Sequence, residues 1–115
     1  TETQQQVKSQ YLNDTWEYDG TVWTRVADTG PEPRTGCGLV YDGTTMLLYG
    51  GKDDTTFFKN TWEWDGHHWT QRQDIGPVAR AFAALAYDSG RQRAVLFGGA
   101  GPGLNGDTWE QFFRA

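Results

Sequence analysis

Apolar residues in this chain fall in short runs closed by Asp-Gly, Gly-Gly or Gly-Pro, and successive runs differ in character. Thr35 to Tyr41 opens with Gly36, Cys37 and Gly38 and ends on Leu39, Val40 and Tyr41, without polar alternation. That pattern predicts a strand covered on both faces, its small residues suiting a crowded inner position. Met46 to Tyr49 predicts a second apolar strand, stopped by Gly50 and Gly51, where positive φ or close backbone approach is expected. Asn60 to Trp64 alternates, placing Trp62 and Trp64 on one face and Thr61 and Glu63 on the other. Asp65-Gly66 then predicts a hairpin turn into Trp69 to Gln73, polar enough for an outer edge. These four strands are designated a, b, c and d from the inside out.

The same order recurs. Asp14 to Gly20 with Trp23-Thr24 returns 46 positions later as Asn60 to Gly66 with Trp69-Thr70, so strands c and d are also expected over Asp14 to Val26. Ala81 to Tyr87 repeats strand a, and Ala94 to Phe97, ending in Gly98-Gly99, repeats strand b. Asp107 to Glu110 begins a third strand c, which decays at Gln111. Gly30-Pro31 and Gly76-Pro77 each lead to an arginine, Arg34 and Arg80. A period in the forties with aromatic and Asp-Gly punctuation marks propeller blades. The recurring positions Trp16, Gly20, Trp23, Gly50, Gly51, Trp62, Gly66, Trp69, Gly98, Gly99 and Trp109 are expected to be structural.

Together these coupled motifs resemble kelch-type β-propeller repeats, especially bacterial forms with strand-Gly-Gly, Asn/Asp-Thr-Trp-Glu-Trp-Asp-Gly and Trp-Thr. The resemblance runs from about Leu12 to Glu110 and implies an all-β fold of four-stranded antiparallel blades that binds partners through its loops. One departure matters. The family often has a histidine three residues after the strand-opening arginine, where this chain has Cys37 and Ala83. Copper-radical oxidases and sialic-acid epimerases occur among kelch-like propellers, but they need ligands or domains this chain lacks.

The chain divides into a flexible polar arm at 1–11, strands c and d of a partial blade at 12–33, a complete blade at 34–79, and strands a, b and part of c at 80–115. That is about two blades, whereas propellers close with four to eight. Six tryptophans, five tyrosines and six phenylalanines are more apolar surface than two blades can bury against each other. The expected remedy is a homo-oligomer in which strands a and b of one chain pair with strands c and d of another, three chains being favoured over four. The alternative is an excerpt of a longer kelch-propeller protein, an enzyme or a carbohydrate-binding domain. Two segments claim the shared third-strand position, Asp14 to Tyr18 and Asp107 to Glu110. The N-terminal copy is expected to take it because a strand d succeeds it, so removing Gln111 to Ala115 should matter little.

Net charge is −5, so the average surface repels phosphate backbones and nucleic acid is not an expected partner. No apolar run approaches the ~18 residues that span a bilayer, and no signal pattern opens the chain, so no membrane association is expected. Cys37 is the single cysteine, which excludes an intrachain disulfide and suggests a small buried residue.

The longer b–c loops, 52–59 and 100–106, and d–a loops, 27–34 and 73–80, share one rim. Loops on a rigid scaffold are where binding residues concentrate. Arg34, Lys52, Asp53, Asp54, Phe57, Phe58 and Arg80 are therefore the binding candidates, for a protein or carbohydrate ligand. The competing structural assignment pairs the arginines with Glu17, Glu63 or Glu110 and packs Phe57 and Phe58 at the loop base. His67-His68, on the other rim, should point apart; Asp53-Asp54 lacks calcium-loop spacing; and Gly98 to Gly103 lacks the lysine and helix of a phosphate loop. No nucleophile–base pair or distinct acid pair stands out. The expectation is a non-enzymatic scaffold or binding module with no cofactor.

Overall fold

The computed structural model describes residues 10–73, 77–102 and 108–112. Residues 1–9 of the expected arm, 74–76 of one d–a loop, 103–106 of one b–c loop, Asp107 at the start of the third strand c, and 113–115 lie outside the described residues. The described chain is all-β, without a helix, and forms three antiparallel sheets in sequence order. The first joins β1 (Thr15–Tyr18) to β2 (Trp23–Ala27). The second is a four-stranded meander of β3 (Gly38–Tyr41), β4 (Met46–Tyr49), β5 (Thr61–Trp64) and β6 (Trp69–Gln73). The third contains β7 (Ala84–Asp88), β8 (Arg93–Phe97) and β9 (Thr108–Phe112).

Register assigns the faces. Gly38 opposes Tyr49, Val40 opposes Leu47, and these oppose Thr61 and Glu63, so all six share one face of the second sheet. Leu39, Tyr41, Leu48, Trp62 and Trp64 share the other, continued by Trp69 opposite Trp64. The tryptophan face meets the first sheet: Trp64 Nε1 donates to Glu17 Oε2 at 3.2 Å, and Trp69 Nε1 donates to Thr15 Oγ1 at 2.8 Å. The opposite face meets the third sheet. There the Leu85 side chain lies so close to Gly38 that an added Cβ would come within 2.8 Å, and Tyr49 Oη donates to the Pro77 carbonyl at 2.8 Å. The core therefore sits between sheets, with Leu47, Leu48, Tyr49, Trp64, Ala94 and Leu96 buried.

Strand a departs from expectation twice. Regular pairing begins at Gly38 and Ala84 rather than at Thr35 and Ala81, which form only isolated bridges to Lys52 and Ala100. The cause is a left-handed residue just inside each start, Gly36 at φ 71° and its counterpart Phe82 at φ 61°. Such a φ breaks the extended run, and a bulky side chain there is strained. The Phe82 ring lies over Gly36, where a Cβ would come within 2.9 Å, and the Phe82 amide donates to the Gly36 carbonyl. Nor is strand a covered on both faces: Leu39 is 53% and Tyr41 56% exposed. The first sheet covers Trp64 and Trp69 but, among the described strands, sets none opposite β3 and β4.

In the single chain the third-strand position beside β8 is held by β9. β9 pairs with β8, with Trp109 opposite Leu96 and Glu110 opposite Val95, matching Trp62 opposite Leu48 and Glu63 opposite Leu47. An intrachain segment a short loop away pairs at small entropic cost. The strand reaches Phe112, so the stretch from Gln111 onward includes ladder residues.

The first diglycine ties two sheets together, and among the described residues the second does not. Gly50 has φ 76°, and a Cβ there would come within 2.6 Å of the Arg80 carbonyl, while the Gly51 amide donates to that carbonyl at 2.9 Å. Gly98 has the same φ of 76° with nothing within 4 Å of a Cβ. Gly98→Ala is thus expected to cost about 1–2 kcal/mol for the left-handed backbone alone, and Gly50→Ala substantially more because a backbone carbonyl must also move. Urea midpoints of the two variants measure the difference, and equal midpoints would show that the inter-sheet contact contributes nothing to stability.

Candidate functional site

Both binding-candidate arginines are buried. Arg34 Nη1 donates to the Gly50 carbonyl at 2.8 Å and to Asn60 Oδ1 at 3.0 Å, its Nε donates to the Glu32 carbonyl, and its Nη2 pairs with Glu32 Oε1 at 3.0 Å. The guanidinium also lies 4.0 Å from the Phe58 ring centroid. Arg80 repeats the arrangement, Nη1 donating to the Gly98 carbonyl and Nε to the Val78 carbonyl. These side chains clasp diglycine carbonyls. Of the expected partners, Glu17 accepts from Trp64 and Glu63 pairs with Arg72 at 2.9 Å, while the side chain of Glu110 lies outside the described residues. Desolvation lowers the Arg34 pKa, opposed by the Glu32 charge.

Lys52, Asp53, Asp54 and Phe57 do come together in one small hairpin. Lys52 bridges both Thr35 and Phe57, and Asp53 Oδ1 accepts from the Thr55 and Thr56 amides at 3.0 and 2.8 Å. Asp54 accepts from Tyr11 Oη at 2.8 Å, and that carboxylate raises the tyrosine's pKa. Lys52 Nζ lies 6.0 Å from the centre of the half-exposed Phe57 ring. Phe58 is buried beneath Arg34, as expected of a loop-base residue. Tyr11 had no sequence signal, since it precedes the first recognisable repeat residue.

Cys37 is half-buried, and burial pushes its thiol pKa upward, against the influence of Arg34. A raised pKa leaves less thiolate, the reactive form. His67 and His68 are exposed with ring centroids 6.4 Å apart. Among the described residues, no group of three or more His, Cys, Asp or Glu is placed to hold a metal ion. No helix of the described chain is long and apolar enough to cross a membrane.

Five aspartates head tight turns by one rule. Asp19, Asp42, Asp53, Asp65 and Asp88 each accept, through Oδ1, the amides two and three residues on. This is the Asx turn, in which the carboxylate substitutes for a backbone carbonyl.

The outer sheet faces carry exposed aromatic residues. Tyr49, facing the third sheet, is 6% exposed, whereas Phe97 at the corresponding position of that sheet is 54% exposed. Trp64, facing the first sheet, is 5% exposed, whereas Tyr18 is 54% exposed on the first sheet's outer face, beside Trp16 and Trp23. Tyr18 and Trp23 stack with centroids 5.1 Å apart, reproducing the 5.4 Å contact of Trp64 with Trp69. The hairpin is thus built like the buried one but faces outward.

No protein-family model matches the chain, and no curated protein matches it.

Arg34→Ala is expected to cost about 3 kcal/mol by orphaning a buried carbonyl and uncovering Phe58. Lys52→Ala should stay within about 0.5 kcal/mol. Chemical unfolding of both variants separates clasp from loop. The turns also set an acid response. Backbone amides, from Val22 and Thr21 for Asp19 and from His68 and His67 for Asp65, lower these carboxylates' folded-state pKa. Their stabilisation is therefore complete above the unfolded aspartate value of about 4 and fades as pH falls through the lower folded value. Thermal melts should drop on acidification below about pH 4. Asp65→Asn, which keeps an oxygen acceptor but no charge, should flatten that drop; an unchanged slope would assign it elsewhere.

Proposed function

We propose that the chain is a kelch-type β-propeller module, a non-enzymatic scaffold that associates with copies of itself to close a ring of blades. One observation carries this reading: the middle sheet buries Tyr49 on one face and Trp64 on the other, while the corresponding Phe97 of the third sheet and Tyr18 of the first are exposed, as are Leu39 and Tyr41 at the uncovered end of the middle sheet. Packing of one sheet's Thr/Glu face on the next sheet's aromatic face already occurs within the chain. Strands β7 and β8 of a second copy, set beside β1, would bring Ala84, Ala86 and Phe97 over Leu39 and Tyr41. Such a head-to-tail contact is heterologous and makes a ring when its rotation closes. Three copies are favoured, giving six blades, over four giving eight.

Partner binding is assigned to the rim carrying Lys52, Asp54, Phe57 and Tyr11. Protein or carbohydrate is the fitting ligand class, because a charged pair beside a half-exposed aromatic ring offers both polar and stacking contacts. Arg34, Arg80 and Phe58 belong to the scaffold in this reading.

Light scattering after size exclusion tests the association. A discrete species of three or four times 13.0 kDa is expected, and Tyr18→Ser with Trp23→Ser should shift it toward monomer without loss of strand content by circular dichroism. A cooperatively folded monomer at all concentrations would overturn the ring and favour closure by further blades of a longer chain.

A further inference from the structure

The third sheet presents a conflict that bears on how copies would join. For β7 and β8 of one copy to continue into β1 and β2 of another, the β8 edge must be open, yet β9 holds it in the single chain. The pairing is the one the repeat prescribes: Thr108, Trp109 and Glu110 oppose Phe97, Leu96 and Val95, as Thr61, Trp62 and Glu63 oppose Tyr49, Leu48 and Leu47. β1 carries the same Thr15-Trp16-Glu17 and pairs only with β2 among the described strands, so its other edge is open. The two candidates are matched in their hydrogen-bonding residues.

Their C-terminal continuations differ. β1 leads through the Asp19 turn into β2, with the Tyr18–Trp23 stack formed. β9 adds no fourth strand to its sheet among the described residues. An incoming β1–β2 hairpin would therefore bring the β8 ladder that β9 supplies, a fourth strand, and cover for Leu39, Tyr41, Ala84, Ala86 and Phe97.

Resting on the self-association reading above, we propose that β9 is an exchangeable placeholder: it caps the β8 edge in the isolated chain and yields it to β1 of a second copy. An open edge invites pairing with other chains, and a short internal strand is one way to blunt it. The exchange replaces one antiparallel ladder with an equivalent one, so the ladder contributes little to the balance. The fourth strand and the newly covered faces favour the assembly, while the entropy of joining copies opposes it. Concentration would thus govern which strand occupies the edge.

Two variants test this by sedimentation velocity. Deleting residues 107–115 frees the edge; if β9 occupies it about nine-tenths of the time, association should tighten about tenfold. Because the deletion could also unfold the third sheet, a lock provides the second measurement. Val95→Cys with Glu110→Cys, in a Cys37→Ser background, puts cysteines at two positions that are paired in the β8–β9 register. Oxidised, this variant should stay monomeric; reduced, it should associate like the Cys37→Ser parent. Equal association of the oxidised and reduced forms would overturn the exchange while leaving self-association intact. No association by any form, including the unmodified chain, would overturn both.

Discussion

An apolar sheet face must be covered, and no sheet in this chain can cover its own. Each therefore takes its neighbour as solvent shield, and the residues that make the contact are fixed by the pleat: in the second sheet Trp62, Trp64 and Trp69 lie on one face, and Thr61 and Glu63 with Gly38, Val40, Leu47 and Tyr49 on the other. Trp64 and Trp69 show what the arrangement requires. Each indole buries its rings while its N–H finds an oxygen on the adjacent sheet, Glu17 for one and Thr15 for the other. A buried indole without such an acceptor would lose a hydrogen bond to water with no replacement. The small residues matter for the same reason: Leu85 reaches the second sheet because Gly38 has no side chain to exclude it.

Face packing alone would let sheets slide, and the clasp at one rim opposes that. Arg34 draws together the Gly50 carbonyl, Asn60 and Glu32, while the Gly51 amide and the Phe58 carbonyl reach Arg80 of the following repeat. Each arginine thus orders its own sheet with its side chain, and Arg80 joins the preceding one with its backbone. Gly50 and Gly51 are required where the backbones meet. At Gly98 the conformation is retained although nothing stands opposite, which shows that the local turn does not depend on the contact.

Much of this was legible because the repeat presents the same physical problem three times. Strands b, c and d, the Asp65-Gly66 turn and the alternation of Trp62 and Trp64 with Thr61 and Glu63 follow from local chemistry, and the structure places them where the pattern does. The interruption of strand a was not legible: Gly36 permits positive φ but does not require it, and nothing in Phe82 announces it. For the arginines, a carboxylate was the natural guess for a buried cation. Arg34 instead divides its donors between carbonyls, an amide and Glu32, and this depends on how tightly the diglycine turn presents its oxygen. The candidate rim was legible as a location, but only the fold distinguishes Lys52 and Asp54 on its surface from Arg34, Arg80 and Phe58 beneath it.

The occupancy of the β8 edge was undecidable from residues alone because the competing segments are nearly the same peptide. Thr15-Trp16-Glu17 and Thr108-Trp109-Glu110 offer one hydrogen-bonding pattern and one order of aromatic and polar side chains. What separates them is connectivity. An intrachain strand joined by a short loop pairs at high effective concentration, whereas a strand from another copy must overcome the loss of independent motion and bring additional buried surface. A repeat sequence specifies which strands can pair but leaves the choice among equivalent partners to chain length and concentration. In this chain that choice falls at the third sheet, where β9 meets its own repeat's pairing rule and leaves Phe97 in water.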